Sequence, residues 1–456
     1  MSSLTGSMLM AVHSLLAQQG ALDATTNNIA NANTPGYSRE VPNFTEATPV
    51  VEGSLVLGQG VNLQSITSVR DRLLEISLDQ ATQQQSEGEA QLNALQQVQN
   101  LFTSTTSGIG TDLTALFNSL NQLSIDPTSI PDRQSVLTAA NNLASDFHST
   151  ASQLTGIQNN LNLNVTQSVN QINALTTQIA QFNTQVASLQ RLGQDPGSIE
   201  DQRNELERQL SQVVGISITQ TADGDTVTTG NGTALVVAGN SFQLQASPDS
   251  TGNQQIYATG QNITSSIQGG QLGGVLQVRD QFLPTVFSAL DDLAGGLAAN
   301  FNAAHAAGFD LSGNPGQQFF NDTTGAGAAA NFSVAISDPS LIAASSDGSP
   351  GSNGNLSTLE AVQNQALPSG QKPLDSYANL TFSVGNATSQ AQATTQAAQL
   401  SLNQLTDQRQ SVSGVSIDEE TTNLIRYQHA FQAAARVITT IDELTQTVLA
   451  MGSPTG

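Results

Sequence analysis

The carboxy-terminal stretch decides the fold, and residues 414–449 read GVSIDEETTNLIRYQHAFQAAARVITTIDELTQTVL. Mostly apolar residues recur every seven positions and form one column. A second column with the same spacing begins three residues after a member of the first. The first column contains Ile417, Leu424, Phe431, Ile438 and Thr445, and the second contains Tyr427, Ala434, Ile441 and Val448. This 3-4 alternation is typical of a coiled-coil seam, which needs a partner helix to cover it. The pattern therefore predicts a long amphipathic helix with one face to bury.

The start of this helix is also marked. Ser416 precedes the first seam residue and Glu419 follows three positions later, which is the pattern of a capping box. Asp418, Glu419 and Glu420 lie in the first turn, where carboxylates complement the helix dipole. We therefore expect the helix to begin near Ile417.

The matching seam lies at the other end of the chain. Its first column contains Met8, Leu15, Leu22 and Ile29, and its second contains Leu4, Ala11, Gln18 and Thr25. Two seams at the two termini predict that the chain leaves and returns to the same place. Periodicity alone supports equally two unrelated amphipathic helices that pack on a globular core.

Composition excludes several classes of protein. The 456 residues allow about three domains, and the absence of cysteine excludes disulfides and thiolate metal sites. The 12 basic and 36 acidic side chains give a net charge of −24, so binding to nucleic acid or anionic lipid is not expected. No apolar run approaches the roughly 20 residues of a membrane-spanning helix. No basic residue precedes the apolar stretch 8–17, which argues against a secretory signal peptide.

The middle of the chain shows both helical and strand periods. A stripe with spacings of three and four predicts one long helix from about Arg133 to Leu192, ended by Gly193 and Pro196. After Gly215 the period changes to two. Asp223-Gly224 and Asn231-Gly232 are hairpin turn signals, so we predict a small antiparallel β subdomain at 216–268.

A family resemblance rests on the two ends of the chain. Residues 28–37 read NIANANTPGY, which resembles the amino-terminal signature of bacterial flagellar rod, hook and hook-associated proteins. The signature positions are Asn28, Asn31, Asn33, Pro35, Gly36 and Tyr37, followed by Ser38 and Arg39. The Ser38-Arg39 continuation resembles family members from the junction between hook and filament. Residues 413–428 resemble the carboxy-terminal signature of the same family, which favours the pairing of the terminal helices.

The resemblance implies a structural subunit that the flagellar type III apparatus exports to the extracellular flagellum. It implies a ring of copies, with hook protein on one side and the next junction protein on the other. An export chaperone is expected to bind the carboxy-terminal helix. We expect the apolar seam residues to form the assembly interface. They are Leu4, Met8, Ala11, Leu15, Leu22, Ile29, Ile417, Leu424, Tyr427, Phe431, Ala434, Ile438, Ile441 and Val448.

The predicted fold class is mainly α with a minor β part, in an elongated multi-domain axial protein. The terminal helices, 1–36 and 414–456, form a coiled-coil domain, and 37–69 form an extended arm. Residues 70–215 and 269–413 form a long-helix middle domain, into which the β subdomain 216–268 is inserted. The segment 308–355 is predicted to be rich in loops, and the family resemblance indicates that longer relatives carry an outer domain there.

Nothing in the sequence nominates a catalytic, cofactor or metal site. The four histidines, His13, His148, His305 and His429, are isolated from one another and from any metal-binding motif. We therefore predict no enzyme activity. The alternative functions are another flagellar axial component, such as a rod or hook subunit, and a secreted adhesin that binds glycans through the β subdomain.

Overall fold

A computed structural model describes residues 2–52, 55–103 and 108–452. The chain divides into two compact units. The first unit comprises Met1–Gln83, Gln171–Gln243 and Gln399–Gly456, and the second comprises Gln84–Asn170 and Leu244–Ala398. Each unit is built from several separate stretches of the chain.

Helices dominate the structure, as the sequence predicted. They are α1 (Ser2–Asn31), α2 (Arg72–Phe102), α3 (Ile109–Ile125), α4 (Ile130–Arg191), α5 (Gly197–Val213), α6 (Gly270–Gln277), α7 (Leu283–Ala306), α8 (Ala328–Asn331), α9 (Gly354–Ala361), α10 (Pro373–Ser413) and α11 (Ile417–Gly452). The 62-residue α4 includes nearly all of the predicted long helix. A π-helical segment, Val278–Phe282, joins α6 to α7.

The strands are short and antiparallel. They are β1 (Glu40–Glu46), β2 (Val50–Glu52), β3 (Leu55–Leu57), β4 (Val61–Ser68), β5 (Ile216–Thr221), β6 (Gly224–Thr229), β7 (Ala234–Val237), β8 (Asn240–Ser241), β9 (Leu244–Pro248), β10 (Gln254–Ala258) and β11 (Gln261–Asn262). Sheets form from β1-β4, from β2-β3, from β5-β6-β7-β8 and from β11-β10-β9. The prediction of a mainly α protein with a minor β part is confirmed.

In the first unit, β1 and β4 form a hairpin that packs on α1. The pairing runs from Glu40 opposite Ser68 to Glu46 opposite Val61. Gly20 of α1 leaves room for the Leu63 side chain, and Gly60 turns with φ +84° against Met10. The predicted extended arm at 37–69 is therefore a hairpin fixed to the first helix.

The predicted β subdomain encloses two sheets that belong to different units. Strands β5 to β8 lie in the first unit, whereas β9 to β11 lie in the second. The turn signals locate hairpins, but they contain no information about which hairpins share a sheet. The single boundary 216–268 therefore does not describe how these strands are grouped.

The second unit is built around an aromatic cluster. Its rings are Phe147, Phe301, Phe319, Phe320 and Phe332, all of them buried. The rings of Phe301 and Phe319 lie 4.7 Å apart between centroids, and those of Phe320 and Phe332 lie 4.6 Å apart. Much of the predicted loop-rich segment 308–355 is thus core, because its bulky residues are buried between stretches of irregular backbone.

Candidate assembly site

The two terminal helices, α1 and α11, pack against each other within the first unit. The second column of α11 is the more buried one, with Tyr427, Ala434 and Ile441 only 7, 8 and 7 % exposed. Leu424, Phe431 and Ile438 of the first column are half-buried. Both ends of the predicted seam, Ile417 and Val448, are exposed. The contact between the helices therefore follows the middle of the α11 pattern.

On α1 the most buried residues are small. The buried positions are Ala11, Ala17, Ala21, Ala24, Thr25 and Asn28. The predicted seam residues Leu4, Met8, Leu15, Leu22 and Ile29 are only half-buried. The reason is that α1 is covered by the β1–β4 hairpin as well as by α11, and small side chains allow this close approach. A search for small residues at helical spacing, rather than for large apolar ones, identifies this face.

An apolar stripe that borders the seam on α11 remains exposed. It contains Val437, Leu444 and Met451, spaced by seven residues, together with Val448 from the exposed end of the seam. This spacing places the four side chains on one face of the helix. The pairing with α1 therefore leaves apolar surface on α11 uncovered in the single chain.

The signature residues form a hydrogen-bonded joint at the end of α1. The amide of the buried Asn28 donates to the Glu40 carbonyl over 2.8 Å. Its Oδ1 accepts from the Glu40 N–H and from the Tyr37 hydroxyl, each at 2.8 Å. Burial, reinforced by the nearby Glu40, raises the pKa of Tyr37, so this phenol stays protonated and donating. Asn28 thereby fixes the turn that leads from α1 into β1.

Asp201 of α5 fixes the next signature residue. Its carboxylate accepts from the Ser38 N–H at 2.9 Å and from the Ser38 hydroxyl at 2.8 Å. Arg70 pairs with the same carboxylate and with Glu200. Burial raises the pKa of Asp201, opposed by the positive charge of Arg70 and the bonds from Ser38. This carboxylate connects the joint to the start of α2.

Arginine side chains complete the joint. Arg39 pairs with Glu419 at 2.9 Å, and its N–H donates to the Ser413 carbonyl. Arg409 donates to the Gly36 carbonyl at 2.8 Å and to Glu75 at 2.7 Å. The joint therefore contacts both ends of the turn between α10 and α11.

The structure does not use every signature residue in this network. Asn31 bonds to Asn27 and to Thr34 beside the joint. Gly36 has a φ of +79°, which favours glycine. Asn33 and Pro35 are exposed in the turn. Sequence reasoning missed Glu75, Asp201 and Arg409, although the scarcity of basic residues makes the partner of each arginine worth seeking.

Among residues 2–52, 55–103 and 108–452, no three His, Cys, Asp or Glu side chains are grouped so that they could hold a metal ion. No helix among these residues combines the length and hydropathy that crossing a membrane requires.

Three protein-family models match parts of the chain. "Flagellar hook-associated protein FlgK helical domain" matches residues 95–320. "Flagella basal body rod protein" matches residues 8–37, and "Flagellar basal body rod FlgEFG protein C-terminal" matches residues 407–451. The two terminal matches include most of α1 and α11.

Similar proteins extend the likeness to nearly the whole chain. Flagellar hook-associated protein 1 of Bacillus subtilis is 29 % identical over 489 residues, covering 96 % of each chain. Flagellar hook-associated protein 1 of Escherichia coli is 26 % identical over 533 residues, covering 95 % of this chain and 97 % of its own.

A solved structure shares the fold. The flagellar hook junction protein FlgK from Burkholderia pseudomallei aligns with a TM-score of 0.68 at 21 % identity. The alignment covers 74 % of this chain and 100 % of that one. Over nearly its whole length, the chain is similar to flagellar hook-associated protein 1.

Proposed function

We propose that this chain is a structural subunit of the junction between the flagellar hook and filament. The observation that carries this proposal is the likeness to hook-associated protein 1 over nearly the full length of both chains. The family is structural, and the chain is a structural protein rather than an enzyme. It works with hook and filament proteins in the extracellular flagellum.

The finer details of assembly are part of the same proposal. The subunit is exported by the flagellar type III apparatus and forms a ring of copies. Hook protein contacts the ring on one side and the next junction protein contacts it on the other. Before assembly, an export chaperone covers the carboxy-terminal helix α11.

The exposed stripe of α11 supports a role for the terminal helices in assembly. Val437, Leu444, Val448 and Met451 are 46–78 % exposed in the single chain. Burying apolar surface contributes about 25 cal/mol per Å². A neighbouring subunit that covers these four side chains therefore adds stabilisation that the single chain lacks.

A strain that lacks the gene tests the junction role. Electron microscopy is expected to show hooks without filaments, with flagellin released into the medium. Normal filaments on the deletion strain contradict the proposal. Expression of the wild-type chain must restore the filaments.

Point variants in the same strain test the part played by α11. Val437→Asp places a carboxylate on the exposed stripe, at a position outside both columns of the seam. We expect a secreted, folded protein that fails to restore filaments, because the buried carboxylate costs several kcal/mol at a subunit contact. Gln432→Asp is the matched control on an exposed polar position. Filament restoration by both variants contradicts the stripe as a contact.

A further inference from the structure

A cluster of buried carboxyl and guanidinium groups in the first unit lies beside the hydrogen-bonded joint, with which it shares Arg70, Glu75 and Glu200. It surrounds a cavity of about 150 Å³ between α2, α5 and the β5–β6 hairpin. Glu207 and Asp225 face this cavity, and they are only 4 and 5 % exposed. Carboxyl groups at this depth need a compensating charge or a proton.

The geometry provides one guanidinium for these two carboxyls. Arg203 Nη2 lies 2.8 Å from Asp225 Oδ2, and its Nε lies 3.8 Å from Glu207 Oε1. Within the described residues, Glu207 Oε1 and Asp225 Oδ1 accept no hydrogen bond from a side chain or backbone donor. If both carboxyls were ionised, one buried charge would remain without a partner, which is strongly unfavourable.

We propose that Glu207 and Asp225 share one proton at neutral pH, and that this proton holds the β5–β6 hairpin against α5. The hydroxyl of the protonated carboxyl donates to the neighbouring carboxylate, which uses the two oxygens that otherwise have no donor. Arg203 then faces one negative charge instead of two. The backbone of Asp225 is fixed independently, because Asn183 of α4 bonds both its N–H and its carbonyl.

The electrostatics of the site agree with this arrangement. Burial, and then the negative charge of Asp225, raise the pKa of Glu207. Burial also raises the pKa of Asp225, opposed by Arg203 and Arg72. Burial raises the pKa of the nearby Asp79 to about 7, opposed by Arg208.

Several other charged groups surround the pair. Besides Arg203, they are Arg70, before α2; Arg72, Glu75 and Asp79 of α2; and Glu200, Glu205 and Arg208 of α5. Arg208 pairs with Glu75 at 2.7 Å and with Glu205 at 2.9 Å, so it is shared among several carboxylates. Carboxyls thus outnumber guanidiniums, and Asp79 is expected to titrate in the same direction as Glu207.

The direction of the pH effect follows from proton linkage. An acid whose pKa is higher in the native state binds more protons there than in the unfolded chain. The stabilisation by the shared proton is therefore present at mildly acidic pH and is lost as the pH rises through the native pKa. The cluster is expected to loosen at alkaline pH.

Hydrogen exchange of the full chain between pH 5.5 and 8.5 tests the proposal. Exchange rates, corrected for the intrinsic effect of pH, are compared for α5 and for strands β5 and β6. In the wild-type chain we expect protection to fall by about tenfold or more, which corresponds to one unit of pKa. Glu207→Gln keeps a donor to Asp225 but cannot titrate. Its loss of protection over this pH range should therefore be several-fold smaller than that of the wild type. Glu89→Gln, at an exposed position of α2, should behave like the wild type.

Constant protection in the wild type, or an undiminished fall in Glu207→Gln, overturns the proposal. Infrared spectroscopy provides a second readout that does not depend on the folding of Glu207→Gln. The native wild-type chain should show a protonated carboxyl band at pH 7. In Asp79→Asn this band must persist, because the Glu207–Asp225 pair is intact, and its absence there also overturns the proposal.

Discussion

The contact between the terminal helices and the aromatic cluster of the second unit are packed in different ways. In the cluster, Phe301, Phe319 and Phe320 are fully buried and contact one another edge to face or tilted. In the terminal helices, the buried apolar side chains are Tyr427, Ala434 and Ile441 on α11 and alanines on α1. Small side chains bury less apolar area, so the terminal contact is the weaker of the two. The comparison indicates that the aromatic cluster is complete within one chain, whereas the terminal helices leave apolar surface uncovered in the single chain.

The largest effect is expected in the aromatic cluster. Phe319→Ala should lower the free energy of unfolding of the second unit by about 3–5 kcal/mol, because it leaves a cavity that the rigid surroundings fill only partly. Urea unfolding followed by circular dichroism measures this loss. Phe382→Ala is the matched control, since Phe382 is 72 % exposed on α10, and its effect should be about 0.5 kcal/mol or less. Equal effects at the two positions contradict the cluster as the core.

The second effect concerns the joint. Asp201→Ala removes the acceptor of the Ser38 N–H, of the Ser38 hydroxyl and of Arg70, so it should destabilise the first unit by about 2–3 kcal/mol. Hydrogen exchange around Ser38 should increase accordingly. Asp407→Ala, on the exposed face of α10, removes the same charge and should change little. Unchanged exchange at Ser38 in Asp201→Ala rules out the anchoring role.

The third effect separates the buried seam of α11 from the exposed stripe beside it. Ile441→Ala should lower the free energy of local unfolding of the terminal helices by about 1–2 kcal/mol in the monomer, so that they are cleaved faster by protease. This loss is smaller than for a fully enclosed core residue. Leu444→Ala should have a smaller effect, because Leu444 is 50 % exposed. Limited proteolysis of the two purified variants measures the difference. If protease cleaves Leu444→Ala faster than Ile441→Ala, the assignment of Ile441 to the buried seam and of Leu444 to the exposed stripe is wrong.

The smallest effect is a pH dependence of the second unit. His305 Nδ1–H donates to the Gln317 carbonyl at 2.6 Å, and Nε2 accepts from the Ala343 N–H at 2.9 Å. Burial lowers the pKa of His305, so its contribution is present above the usual value of 6.5 and is lost as the pH falls below it. Urea unfolding at pH 5 and 7 should show this loss. His148→Gln, at an exposed histidine, should retain it, whereas His305→Gln should not.

Much of the helical architecture could be predicted from the sequence. The 3-4 alternation predicted α11, and the same spacing predicted most of α4. The capping pattern was also informative, since the Glu419 N–H lies 3.4 Å from the Ser416 hydroxyl and α11 begins at Ile417. These features depend on neighbours within one or two helical turns, and such neighbours are visible in the order of residues.

The signature residues show the limit of this reasoning. Sequence similarity singled out Asn28, Ser38 and Arg39, but it did not reveal their partners Glu40, Asp201 and Glu419. Two of these partners are more than 160 positions away along the chain. The contacts of Ser38 and Arg39 with these distant partners depend on how the elements pack in three dimensions. The spacing of residues along the chain contains no information about that packing.

The sequence by itself determined the long helices, the hairpin turns and the family resemblance, because each depends on local spacing or on a contiguous motif. Only the tertiary structure decided which side of α1 is buried, since that side depends on the β1–β4 hairpin as well as on α11. It also decided how the strands of 216–268 divide between two sheets. The buried cluster around Glu207 had the same origin, because the cost of a buried charge depends on which groups surround it in space.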